Sequence, residues 1–212
     1  MKITKIERQK KNKSRSSVYL DDSFAFGIDD FDLYRLKLCE GQELDAERVA
    51  FIRETVLLTS AKNYGMKLTA ARSYTTAGLV RKMREKEFDE WAIEQTVNFL
   101  QQYKLLDDEE YARRMIHDSI YLKGHGKYRI CNTLREKGIA KEVAERVLEE
   151  FDFEEAEKTV LQSLAEKKLG QNFSYENIAK TKRYLAARGY SFDAIDSVVR
   201  KITGRCEEEW GE

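Results

Sequence analysis

Core-type positions recur at helical spacing from about residue 57 onward, and the spacing itself repeats. Ile93, Thr96, Val97 and Leu100 sit at offsets 0, 3, 4 and 7, which is one face of an α-helix. Fifty-one residues on, Ala144, Val147, Leu148 and Phe151 occupy the same columns; after the same interval again come Ile195, Val198, Val199 and Ile202. Each stripe follows a degenerate hexamer of the form apolar-x-x-basic-(Gly/Glu)-apolar: Met83 to Phe88, Leu134 to Ile139 and Leu185 to Tyr190. A fixed period carrying a helical core stripe is the signature of a helical repeat array, whose units bury their apolar faces against one another. The expected fold is mainly α, with three tandem three-helix repeats in an elongated curved array. A small N-terminal β-hairpin plus helix segment precedes them. The expected bounds are 1–56 for that segment, then 57–106, 107–153 and 154–203 for the repeats, with an acidic, frayed tail at 204–212.

Within the first repeat, helix A is expected through Leu58, Ala61, Tyr64 and Leu68, helix B from about Thr76 to Lys86 and helix C from about Asp89 to Tyr103. Gly138 and Gly189 are expected to end helix B of their repeats at positive φ, where a C′ glycine relieves strain. Glu87 stands in the same column and needs another cap or a strained left-handed backbone. Ahead of the repeats, Val18-Tyr19-Leu20 and Phe24-Ala25-Phe26 flank Asp21-Asp22-Ser23, which reads as a hairpin. A helix capped by Asp29 or Asp30 and lined by Phe31, Leu33, Tyr34, Leu36 and Leu38 should stop at Gly41. Asp45 should cap the next, through Val49, Ile52 and Val56. Residues 1–15 form a basic arm, either solvated or touching phosphate or an acidic partner, and placed so that it can pair with the following strand.

Composition narrows the class. Proline is absent, so long helices are uninterrupted, and the formal net charge is zero. Cys39, Cys131 and Cys206 are far apart, which indicates no disulfide framework and favours a reducing cytoplasmic setting. No apolar run approaches the ~18 residues of a membrane span. Charge follows the repeat: Lys62 to Lys86 holds seven bases and one acid, and Glu87 to Glu110 holds eight acids and one base. The same alternation returns over Arg113–Lys141 and Glu142–Glu157. Helices A and B are therefore basic and helix C acidic, giving either mutual ion pairs or partner-binding ridges.

Catalytic chemistry is missing from the pattern. His117 and His125 have no Ser or Asp at triad spacing. Gly124-His125-Gly126-Lys127 fails the Walker pattern because positions 121 and 128 are both Tyr. The run Asp107-Asp108-Glu109-Glu110 reads as a helix cap rather than a metal site. No catalytic, cofactor-binding or metal-binding residue is expected, and no cofactor.

Several segments resemble the RecX family, regulators of the bacterial recombinase RecA. They are Tyr19 to Gly27, Leu36 to Leu44, Leu105-Leu106-Asp107-Asp108-Glu109-Glu110-Tyr111-Ala112-Arg113, Gly126 to Ile130 and Leu134 to Ile139. Two departures fall in the first repeat: Tyr74 to Leu79 lacks the family's Arg and acidic residue, and Glu87 replaces the turn Gly. The resemblance implies a monomeric, non-enzymatic regulator that binds the RecA–single-stranded DNA filament. It would inhibit RecA ATPase, strand exchange and co-protease activity. The basic ridge of Lys123, Lys127, Arg129, Arg135 and Lys137 is the candidate contact surface, with Arg84, Lys86, Arg183 and Arg188 as its repeat-related extension. Two other readings stay open. One is direct, non-specific DNA binding, for which Tyr111, Tyr121 and Tyr128 could stack bases, although their helical spacing favours packing. The other is a scaffold for an unrelated protein, contacted through the acidic helix C ridge.

Overall fold

The hexamer that recurs along the chain is a helix stop. In the computed structural model, which describes residues 1–9 and 13–209, all three copies close a helix in the same way. Helix α7 (Lys127–Glu136) ends with Gly138 N–H donating to the Arg135 carbonyl at 2.9 Å and Ile139 N–H to the Leu134 carbonyl at 3.1 Å. Those two bonds define a Schellman motif, and the apolar residues at its ends, Leu134 and Ile139, are both buried. Helix α11 (Tyr175–Ala187) repeats the arrangement through Gly189 and Tyr190, and helix α4 (Thr76–Glu85) through Glu87 and Phe88. Gly138 and Gly189 take φ of 75° and 89°. Glu87 takes φ of 57°, the strained left-handed alternative. The basic position of the hexamer, Lys86, Lys137 or Arg188, is the C-cap residue, where a cation meets the negative end of the helix dipole.

The chain divides into two units, Met1–Asp107 and Asp108–Glu212. In the first, a three-stranded antiparallel sheet comes from β1 (Ile3–Arg8), β2 (Arg15–Leu20) and β3 (Ser23–Asp29), in that order. The expected hairpin is β2–β3, closed by Asp21 and Asp22 at φ 47° and 65°, the two-residue left-handed turn that matches strand twist. Within the basic arm, Ile3–Arg8 pairs with β2 as an edge strand, as its position allows, with Ile6 opposite Val18 and Ile3 fully buried. Helix α1 (Asp30–Arg35) is shorter than the apolar pattern indicates. Lys37 turns left-handed at φ 53°, so Leu38 enters the core from beyond the helix while Phe31 and Tyr34 stay exposed. Asp29 stands at its N-cap without a side-chain bond to the helix; its carboxylate instead accepts from the Ser60 hydroxyl at 2.7 Å.

Asp45 caps α2 (Ala46–Phe51) by accepting from Arg48 N–H at 2.6 Å. The helix then runs through a π-helical segment (Ile52–Leu57) into α3 (Leu58–Ala71), passing the expected boundary at 56 without a break. This continuity joins the two cores of the unit. Ile52, Val56 and Leu57 pack with Phe26 and Ile28 of the sheet; Ala61 packs with Leu79, Met83, Ile93 and Leu100 of α4 and α5 (Glu90–Gln102). Arg15, almost fully buried on β2, lies 4.2 Å from the Phe88 ring centroid and donates to the Gly27 carbonyl at 2.8 Å.

The second unit holds two further three-helix sets. The first is α6 (Asp108–His117), extended by a π-helical segment (Asp118–Leu122), with α7 and α8 (Lys141–Glu149). The second is α9 (Phe153–Ala156), a π-helical segment (Glu157–Leu161) and α10 (Gln162–Leu169), with α11 and α12 (Phe192–Glu209). Ala112, Ile116, Ile130, Leu134 and Val147 form one core; Leu161, Ala165, Leu185, Ile195 and Val199 form the other. Helix α12 carries the backbone on through Glu209, so the expected tail is helical to that point; Trp210, Gly211 and Glu212 lie outside the described residues.

Candidate functional site: a basic turn and its neighbours

The Lys123–Gly126 break, which superficially resembles a phosphate loop, is where the two three-helix sets of the second unit clasp. Helix α7 begins here with no side-chain cap, so its first N–H groups need partners. The turn that ends α11 supplies them. Gly126 N–H donates to the Arg188 carbonyl at 2.9 Å and Tyr128 N–H to the Gly189 carbonyl at 3.2 Å. Arg129 adds a guanidinium bond to the Ala187 carbonyl at 3.0 Å. In return Arg188 donates to the carbonyls of Lys123 and Gly124 and stacks against Tyr184 at 4.8 Å. A positive helix start thus faces a negative helix end. The approach requires glycine on both sides. A Cβ at Gly126 would lie 2.4 Å from the Gly189 carbonyl oxygen, and one at Gly189 would lie 2.4 Å from the Arg129 nitrogen.

Electrostatically the clasp is a cluster of cations. Burial, followed by Arg129, Arg188 and Lys123, pushes His125 below the ordinary imidazole range. The cluster is flanked by exposed aromatic groups. Tyr121 is 54% exposed and stacks with His117 at 4.9 Å, and Tyr128 is 65% exposed. Tyr111 does pack against the core, but for Tyr121 and Tyr128 the packing interpretation is corrected.

The nine candidate residues separate into different roles. Arg188 and Arg129 hold the clasp. Arg84 forms a two-pronged pair with Glu90, both bonds 2.7 Å, which raises the arginine and lowers the carboxyl. Lys127 lies 5.3 Å from the Phe153 ring, toward an acidic groove. Arg183 is exposed on α11 and bonds its own helix, at the Ala179 carbonyl. Lys123, Arg135 and Lys137 are exposed, and Lys86 is half-buried. Part of the charge alternation is spent inside the unit: Arg113 clamps Glu150 at 2.7 and 2.9 Å while also holding Glu110, and Arg146 pairs with Glu109. Glu109 and Glu110 of the acidic run are therefore engaged by arginines. Among the described residues no group of three or more His, Cys, Asp or Glu is placed to hold a metal, and no helix is long and apolar enough to cross a membrane.

The elements define a tandem three-helix-repeat protein with a small N-terminal sheet. Family models agree: the Regulatory protein RecX N-terminal domain matches residues 1–45, and the first, second and third three-helix domains of RecX match 61–100, 107–148 and 155–199. The chain is 33% identical over 208 residues to Regulatory protein RecX of Clostridium perfringens (strain SM101 / Type A), covering 95% of this chain and 96% of that one. It is 29% identical over 199 residues to the Caldanaerobacter subterraneus protein of the same name, covering 94% and 98%. A crystal structure of regulatory protein RecX superposes with a TM-score of 0.63 at 26% identity, covering 93% of this chain and 98% of that chain. The chain belongs to the RecX family of regulatory proteins.

Proposed function

We propose that this chain binds the RecA–single-stranded DNA filament and inhibits RecA ATPase, strand exchange and co-protease activity without turning over a substrate. The observation that carries the reading is the presence of all four RecX domains in order along one chain. The surface supports it in kind. Lys123 and Arg135 of the second repeat and Arg183 of the third are exposed cations, and a filament holding a polyanion attracts such groups. Association is then salt-sensitive, because exposed charges are screened beyond roughly 10 Å at 0.1 M salt.

The test is a titration of RecA ATPase on single-stranded DNA, with co-sedimentation of the filament. The parent should suppress turnover near stoichiometry and pellet with RecA. Lys123→Glu, Arg135→Glu and Arg183→Glu combined should weaken both effects while leaving the helical melt unchanged. These three are chosen because reversing Arg129 or Arg188 would also open the clasp. A variant as inhibitory as the parent removes the surface assignment; a parent without effect removes the function.

A second reading, direct binding of single-stranded nucleic acid, is favoured by Tyr121 and Tyr128 exposed beside the basic turn. Its signature would be fluorescence quenching of tyrosine by an oligonucleotide in the absence of RecA.

A further inference from the structure

The second unit also carries a groove of opposite chemistry. Its walls are the Lys127–Cys131 side of α7, the end of α8 and the short link into α9, and its volume is about 730 Å³. That is within the range of small ligand and peptide sites. The floor is apolar: Leu148, Phe151 and Phe153 are half-buried, with the two rings 6.4 Å apart. The rim is acidic, formed by Glu145, Glu149, Asp152 and Glu154, all exposed. Asp152 accepts from Glu155 N–H and so stays fixed at the mouth. Among the described lining residues the one cation is Lys127, whose ammonium lies 5.3 Å from the Phe153 ring; from outside the lining, Lys141 reaches Glu145 at 3.6 Å. One cationic side chain of the chain itself thus already rests on the aromatic floor.

We infer that this groove receives a short cationic segment of a protein partner, with an aliphatic or aromatic residue as its anchor. Charge complementarity selects that occupant. Four carboxylates oppose a nucleic acid or an acidic peptide, and the rings accept an ammonium or guanidinium face-on. The apolar floor supplies the contact area that a purely electrostatic patch lacks. The inference does not rest on the RecA reading and is tested without RecA, so the failure of one is distinguishable from the failure of the other.

Cys131 lines the groove and provides the readout. In a chain carrying C39S and C206S, Cys131 is the remaining thiol, and its maleimide labelling rate reports occupancy. The probe is a fluorescent eight-residue peptide of alternating lysine and leucine; its glutamate–leucine counterpart is the control. The lysine peptide should slow labelling several-fold and bind saturably, and the acidic peptide should do neither. Glu145→Lys, Glu149→Lys and Glu154→Lys combined should weaken peptide binding at least tenfold with an unchanged melting curve. Leu148→Ser provides a second test through the floor rather than the charge, and should weaken binding without altering its salt dependence. Equal binding of both peptides would overturn the proposal, as would an unaffected triple variant. Protection of Cys131 by an oligonucleotide, or by raising the protein concentration alone, would assign the groove to another occupant.

Discussion

Replacing Gly189 by alanine tests the clasp directly, because two separable costs fall on one atom. The first is conformational. At φ 89° an L-residue lies beyond the usual left-handed well, which costs roughly 1–2 kcal/mol. The second is steric. The new Cβ would lie 2.4 Å from the Arg129 nitrogen and 2.5 Å from its Cβ, and the first turn of a helix is too rigid to absorb an overlap of an ångström. Relief requires α7 to slide away, which breaks the Gly126-to-Arg188 and Tyr128-to-Gly189 bonds. Each is worth about 1 kcal/mol net. The expected destabilisation is therefore about 3–4 kcal/mol. Gly41→Ala is the control. It shares a positive φ, 86°, but has nothing within 4 Å of the added carbon, so it should lose only about 1–2 kcal/mol. Urea melts followed by circular dichroism give both values, and hydrogen exchange at the Gly126 and Tyr128 amides locates the damage. If the two variants lose the same stability within about 0.5 kcal/mol, or if those amides keep their protection in Gly189→Ala, the clasp argument fails.

Leu134→Ala should cost about 2–5 kcal/mol in a denaturant melt, since the side chain is fully buried beneath the second Schellman turn. Leu148→Ala, half-buried at the acidic groove, should cost about 1 kcal/mol, less than an equal place in the periodic stripe would indicate. Lys104→Gly should stabilise by about 0.5–1 kcal/mol, because Lys104 holds φ 53° at the turn after α5 and only the left-handed strain is relieved. His125 is held below its ordinary value of 6.5, so the unfolded chain takes up the proton first and stability falls as pH drops through that value. His125→Gln should flatten the dependence of melting temperature on pH between 7.5 and 5.5. The carboxyls of Glu90, Glu110 and Glu150 are lowered by their arginine bonds, so their share of stability is present above about 4.5 and lost in more acidic solution.

What the sequence determined was local and periodic. Apolar columns at helical spacing specify which faces are buried, and the hexamer specifies where helix B stops, because a Schellman turn needs an apolar residue at each end and a left-handed residue between. Gly138 and Gly189 were legible for that reason, and Glu87 was legible as the strained exception. The hairpin turn was legible from Asp21 and Asp22, and the pairing of the basic arm from its place before a strand, but not its register, with Ile6 opposite Val18, because a short basic strand reads the same in several alignments. Tertiary structure alone decided what each charge does. Arg84, Arg135 and Arg188 share a charge and a repeat context, yet one is pinned by Glu90, one is exposed, and one bonds carbonyls on a neighbouring turn. Gly126 likewise carries no sequence signal separating a phosphate loop from a site of backbone contact. The distinction depends on what lies opposite, and Gly189, more than sixty positions along the chain, is brought there only by folding.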